Sequence, residues 1–159
     1  MAQGFNIDEV LQMAEQIESN GAIFYAQAAA DASDDAVKAF LDNLSKTEEK
    51  HCETFAQMRT ALSDSEKEPM VFDPDDETAL YLKALADTRV FFEKSIDTGS
   101  IDTVLKEALL AEKDSIVFYL GLKQGMPAGS GQDKIEQIIQ EEMTHIRVLS
   151  TYLLKYGNK

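Results

Sequence analysis

The sequence predicts an all-α fold, a four-helix bundle built from two repeated helix hairpins. Three observations predict it. Apolar residues recur at helical spacing over four long stretches. The helix breakers are few, with three prolines and eight glycines in 159 residues, and most lie between those stretches. The first hairpin also repeats in the second: Ile7, Val10, Leu11 and Ala14 return as Ile101, Val104, Leu105 and Ala108, each 94 residues later.

The first helix is expected over about 7–30. Asn6 can cap it, and Glu9, three residues on, can complete a capping box. Ile7, Val10, Leu11, Ala14, Ile17, Phe24 and Ala28 form its apolar stripe. Gly21 sits inside it at a cost of about 1 kcal/mol relative to Ala, which close packing would explain. A short turn with the capping residues Ser33 and Asp34 leads to a second helix over about 34–62. Its buried side is Val37, Phe40, Leu41, Leu44, Phe55, Met58 and Leu62. Residues 63–75 read as a polar loop, since Pro69 and Pro74 interrupt any helix there. A crossover helix is expected over about 76–97, with Leu80, Leu82, Leu85, Val90, Phe91, Phe92 and Ile96 on its apolar face. Ser100 can cap the next helix, about 101–124. The break from Gly125 to Gly131 separates it from the last, about 132–156, with Ile135, Ile138, Ile139, Ile146, Leu149, Leu153 and Leu154 facing inward and Gly157 as its stop. The expected organisation is one domain over 1–159: a hairpin at 7–62, a crossover at 63–99 and a hairpin at 100–156.

Composition excludes several function classes. A net charge of −14 would repel nucleic acid and anionic lipid. No 20-residue apolar run suggests a membrane span. The N-terminus lacks the basic and apolar regions of a signal peptide. A single cysteine, Cys52, allows neither an internal disulfide nor a CxxC metal knuckle. Together these favour a cytoplasmic setting.

The chain has two histidines, His51 and His145, and each follows a glutamate by three residues: Glu48-Glu49-Lys50-His51 and Glu142-Met143-Thr144-His145. Positions i and i+3 share a helix face, so each pair can aim a carboxylate and an imidazole at one spot. The repeat fixes the register. Glu18 matches Glu112, Glu48 matches Glu142 and His51 matches His145, while Glu49 falls on Met143. Glu18 and Glu112 interrupt apolar stripes, where a solvated acid would be poorly placed. A lone Glu-x-x-His is more often an intrahelical hydrogen bond, and a lone acid is usually solvated. Four unpaired buried carboxylates, however, would be very costly. Four carboxylates and two imidazoles on four facing helices form the ligand set of dinuclear carboxylate bundles. Charge balance calls for two divalent ions, and the mixed imidazole and carboxylate donors suit Fe or Mn. The expected metal ligands are therefore Glu18, Glu48, His51, Glu112, Glu142 and His145.

Tyr25 and Tyr119 lie two turns beyond Glu18 and Glu112 and share their inward face. Each is expected to donate a hydrogen bond to a metal carboxylate of the opposite hairpin, Tyr25 to Glu142 and Tyr119 to Glu48. Simple space filling is the alternative reading. Cys52 points about 100° away from His51 and reads as a packing or surface residue. Glu15, one turn before Glu18, is matched by Leu109 and reads as solvated.

The segments Glu18 to Tyr25, Glu48 to His51, Glu112 to Tyr119 and Glu142 to His145 resemble the ferritin-like superfamily, and most closely its rubrerythrin branch. The resemblance covers about the whole chain. It implies a non-haem di-iron centre, with two Fe ions or alternatively Mn, that reduces hydrogen peroxide while cycling between diferrous and diferric states. In that reading Glu48 and Glu142 bridge, Glu18 and Glu112 are terminal ligands, and His51 and His145 each bind one iron. The chain departs from the branch twice. One cysteine cannot build a rubredoxin-like Cys₄ site, so a separate donor, a rubredoxin or a flavoprotein, must supply electrons. Ser115 stands where rubrerythrins have an extra glutamate, so the redox-linked ligand swap of that glutamate has no residue here to carry it. A symmetric six-ligand site also resembles bacterioferritin, but Glu49 stands where that protein has its haem-ligating Met.

Three functions follow as alternatives: a di-iron peroxide reductase, an iron-storage protein with ferroxidase activity, or a non-enzymatic metal or oxygen sensor. Peroxide or oxygen would be the small-molecule partner. The apolar face of 76–97 makes a homodimer the expected assembly.

Overall fold

A computed structural model describes residues 6–67, 77, 80, 81, 84, 97–126, 129 and 131–157. Four long helices organise it: α1 (Ile7–Asp31), α2 (Asp35–Thr60), α3 (Ile101–Gly125) and α4 (Gln132–Tyr156). Their bounds lie close to those the apolar periodicity predicts. The caps explain why. The Asn6 side chain accepts from the Glu9 backbone N–H and Glu9 returns the bond to Asn6, completing the capping box. Asp34 accepts from the N–H groups of Ala36 and Val37, and Ser100 from that of Thr103. Each bond satisfies a first-turn donor that has no partner within its helix. The start of α4 has no side-chain cap. Gly131 stands there at φ 104°, a left-handed conformation that suits glycine.

The buried residues form two apolar clusters. One joins Ile7, Val10, Leu11, Ala14 and Ile17 at the start of α1 to Phe55, Met58 and Leu62 at the end of α2. The end of α3 (Phe118, Tyr119, Leu122, Met126) and the start of α4 (Ile135, Ile138, Ile139) complete it. The other joins Phe24, Tyr25, Ala28 and Ala29 at the end of α1 to Val37, Leu41 and Leu44, with Val104, Leu105 and Ala108 of α3 and Leu149 of α4. Both ends of the bundle thus mix the two hairpins. Within this frame α1 runs antiparallel to α2 and to α3, and α2 runs parallel to α3. The chain leaving α2 must therefore travel the length of the bundle, roughly 37 Å for a 25-residue helix, before α3 begins. Besides the hairpin pairs, α1 packs on α3 and α2 on α4.

Most of the crossover helix expected over 76–97, with its apolar face, lies outside the described residues, as do 68–75 of the loop. Glu77, Leu80, Tyr81 and Ala84 are helical. The Tyr81 hydroxyl donates to the Val117 carbonyl at 2.6 Å, which sets that turn against the outer side of α3. No helix among the described residues is long and apolar enough to cross a membrane.

Four packing expectations change, the first being Phe40, which is only half-buried and stacks on Tyr152. Leu154, expected inside, is 89% exposed. Ile146 and Leu153 are only half-buried. The reason for Leu154 is helical phase: it lies five residues, about 140°, around the helix from the buried Leu149, whereas Tyr152, Leu153 and Tyr156 still pack against the core cluster. The two sites should respond differently to truncation. Leu41→Ala, at a fully buried position, is expected to cost about 2–5 kcal/mol and lower the urea midpoint. Leu154→Ser should stay within about 0.5 kcal/mol of the parent chain. Equal effects in equilibrium unfolding would contradict this account of the core.

Candidate metal centre

The two apolar clusters leave a polar layer between them, and each helix contributes to it from its middle. On α1, Glu18 follows Ile17 and precedes Phe24; on α2, Glu48 and His51 lie between Leu44 and Phe55. On α3, Glu112 lies between Ala108 and Phe118; on α4, Glu142 and His145 lie between Ile139 and Leu149. All six are buried, none more than 9% exposed. The i, i+3 spacing within α2 and α4 does what helix geometry requires: His51 Nδ1 lies 3.2 Å from Glu48 Oε2, and His145 Nδ1 lies 3.0 Å from Glu142 Oε2.

The contacts also cross between hairpins. His51 Nδ1 lies 2.9 Å from Glu142 Oε1 and 3.5 Å from Glu18 Oε2. His145 Nδ1 lies 3.3 Å from Glu48 Oε1 and 3.6 Å from Glu112 Oε1. The two imidazole rings are 6.0 Å apart. Two groups of potential ligands result, Glu18, Glu48, His51 and Glu142 on one side, and Glu48, Glu112, Glu142 and His145 on the other. Within each, the ligand atoms lie within 4.8 Å of one another. Glu48 and Glu142 belong to both groups. One oxygen of each, Glu48 Oε1 and Glu142 Oε1, is buried with no hydrogen-bond partner. A histidine Nδ1 lies 2.9 Å from Glu142 Oε1 and 3.3 Å from Glu48 Oε1, but neither contact forms a hydrogen bond, and a cation held among these ligands would satisfy both oxygens. The donor set therefore fits a pair of divalent metal ions.

Electrostatics point the same way. Burial, reinforced by Glu48, pushes the Glu18 carboxyl well above the usual carboxylate range. Burial and the neighbouring Glu112 and Glu18 push Glu142 up to about 8. For Glu112, burial works upward, but Glu142, His145 and the Tyr25 hydroxyl hold it below the usual value. Burial would lower both histidines, yet the surrounding carboxylates dominate. They raise His51 strongly and push His145 up to about 12. Without metal, the site holds protons on its histidines and on its raised carboxyls.

The tyrosines require a correction. Each does bond across to the opposite hairpin, but not to the carboxylate expected from sequence. The Tyr25 hydroxyl donates to Glu112 Oε1 rather than to Glu142, and the Tyr119 hydroxyl to Glu18 Oε1 rather than to Glu48. The cause is the packing: α1 lies beside α3 and diagonal to α4. Helical side chains also slant toward their own N-terminus, so each phenol leans back toward the level of the nearest inward acid.

Ser115, buried one turn beyond Glu112, donates to its own helix at the Ala111 carbonyl, 2.9 Å away. Glu15 pairs with Arg59, which also holds Asp8. Cys52 is half-buried and its Sγ turns to the Glu15 carbonyl at 3.4 Å, away from the centre. One residue escaped the sequence reading. Glu141 Oε2 lies 2.6 Å from His51 Nε2. Its repeat partner is Thr47, so symmetry gave no signal; adjacency to Glu142 was the only one present.

No family model matches the chain, and no curated protein matches it. A solved structure does: a candidate ferritin-like diiron-carboxylate protein from Thermotoga maritima, with a TM-score of 0.70 and 22% identity, over 100% of this chain and 99% of that one. The fold is thereby ferritin-like.

The held protons make a prediction. Metal ligation needs neutral imidazoles. With His145 raised to about 12 and Glu142 to about 8, these groups are protonated at pH 7 in the metal-free protein. Loading must displace those protons, so apparent affinity should fall as pH drops from 8 to 6. The dependence of zinc-binding heat on buffer ionisation enthalpy measures the release, and loading without net proton release would contradict the assignment.

Proposed function

We propose that this chain is a rubrerythrin-like di-iron oxidoreductase that reduces hydrogen peroxide with electrons from a separate donor, a rubredoxin or a flavoprotein. The observation that carries the reading is the pair of ligand groups sharing Glu48 and Glu142, each of which has one buried oxygen outside any hydrogen bond. In it, Glu48 and Glu142, which belong to both ligand groups, would be shared between two irons. Glu18 and His51 complete one position, and Glu112 and His145 the other. The name of the Thermotoga maritima neighbour, a diiron-carboxylate protein, agrees with that assignment.

A bound di-iron pair supplies the two electrons that convert one peroxide and two protons to two waters. The chain's own residues do the rest. Tyr25 and Tyr119 fix the orientation of Glu112 and Glu18 through their hydroxyls; Glu18 thereby commits Oε1 and leaves Oε2 toward His51, whereas Glu112 offers the same Oε1 to Tyr25 and to the side of His145. Burial raises both phenols well above their ordinary value, so they stay protonated and remain donors. Packed apolar side chains on both sides keep bulk water from the layer. A homodimer held by the apolar face of 76–97 remains part of the proposal.

Two experiments test this reading. Glu48→Ala and Glu142→Ala each remove a shared ligand and should abolish loading of the metal pair; metal analysis that still finds two ions per chain refutes the bridging roles. Iron(II) loaded anaerobically should be oxidised rapidly by one equivalent of peroxide and restored by reductant. Oxidation far faster with oxygen than with peroxide would favour a ferroxidase. In the same assay Tyr25→Phe should slow peroxide turnover by about 10–100-fold with the fold intact by circular dichroism. Unchanged turnover would show that Tyr25 only fills space.

A further inference from the structure

The ligands repeat faithfully, but their surroundings do not. His51 Nε2 lies 2.6 Å from Glu141 Oε2, on α4 of the opposite hairpin. His51 is 4% exposed at its side chain, whereas Glu141 is 41% exposed, so the contact runs from the buried centre to the surface. The position related to Glu141 by the 94-residue repeat is Thr47. Its hydroxyl donates to the Asn43 carbonyl of its own helix at 3.0 Å. Among the described residues, the carboxylates near His145 all face Nδ1, and none stands against its Nε2. His145 is also the more exposed of the two at its side chain, 11% there against 9% for the whole residue.

A carboxylate behind a ligating imidazole has three effects. It accepts the far N–H, which fixes the tautomer. It locks the ring's rotation, and it makes the near nitrogen a stronger donor. Among the described residues His51 has such a partner and His145 does not. We propose that Glu141 is a positioning residue: accepting the His51 Nε2–H, it presents Nδ1 to the site and makes the His51 position the tighter of two unequal metal positions. The inference rests on the di-metal reading above and adds an order of occupancy to it. A first metal enters the group of Glu18, Glu48, His51 and Glu142. The second completes the group that contains His145.

Cobalt(II) titrated anaerobically into the metal-free full chain, followed by its visible absorption, tests both levels. The parent protein should bind in two steps of unequal affinity. Glu141→Ala should weaken the tighter step by about 10–100-fold and leave the weaker step in place. Glu141→Gln keeps a carbonyl acceptor and should recover part of the loss, which a merely structural role would not require. Thr47→Glu should strengthen the weaker step. In the zinc-loaded parent, long-range ¹H–¹⁵N spectra should show His51 with a slowly exchanging Nε2–H that Glu141→Ala loses. Two unequal steps that Glu141→Ala leaves unchanged, or weakens equally, overturn the role of Glu141 while the di-metal reading stands. Failure of the parent chain to bind cobalt overturns both.

Discussion

Four carboxylates and two imidazoles share one buried layer, and the rest of the bundle is arranged around that constraint. Isolated ions in such a place cost several kcal/mol each, and like charges a few ångströms apart raise the cost further. The metal-free chain answers by keeping protons on its histidines and on Glu142. Even so, Glu48 Oε1 and Glu142 Oε1 keep no hydrogen-bond partner. A site that only half satisfies its polar groups without a cation is poor as a structural core and well suited to binding one. The same low-dielectric surroundings that make the unpaired oxygens costly strengthen every bond they make to a metal.

Such a layer can persist only if apolar packing on both sides supplies the stability it withholds. The four helices are long enough to do this. Each carries its inward acid near its midpoint, with one apolar cluster before it and one after. The antiparallel placement of α1 against α3 then brings Glu18 and Glu112 to the same level from facing helices. Tyr25 and Tyr119 span that interface in opposite directions, each at the boundary between the polar layer and an apolar cluster. They join the two hairpins at the point where packing alone would have to hold charges in place.

The repeat is strict where ligand geometry demands it and relaxed elsewhere. Glu18, Glu48 and His51 have counterparts of the same type. Glu15 does not: it pairs with Arg59, and its mate is Leu109. Thr47 and Glu141 differ as well, one turned back on its helix and the other bonded to a histidine across the bundle. Twofold symmetry in the ligands therefore coexists with unequal surroundings, which is how one ligand set can hold two different positions.

The sequence by itself determined the four long helices, the side-chain caps of the first three and the six inward polar residues, while the sharing of Glu48 and Glu142 was only what the family resemblance implied. The helices, caps and inward residues follow from local rules: the 3.6-residue period, the short reach of capping side chains, and a repeat whose register picks Glu48 over Glu49. What it missed depends on which helices are neighbours. Periodicity says that Tyr25 faces inward, but only the packing of α1 against α3 decides that it meets Glu112 rather than Glu142. Glu141 carried no repeat signal, and its contact with His51 exists only because α2 and α4 come together at that level. A helical sequence encodes the direction of each side chain relative to its own axis; what lies in that direction belongs to the tertiary structure.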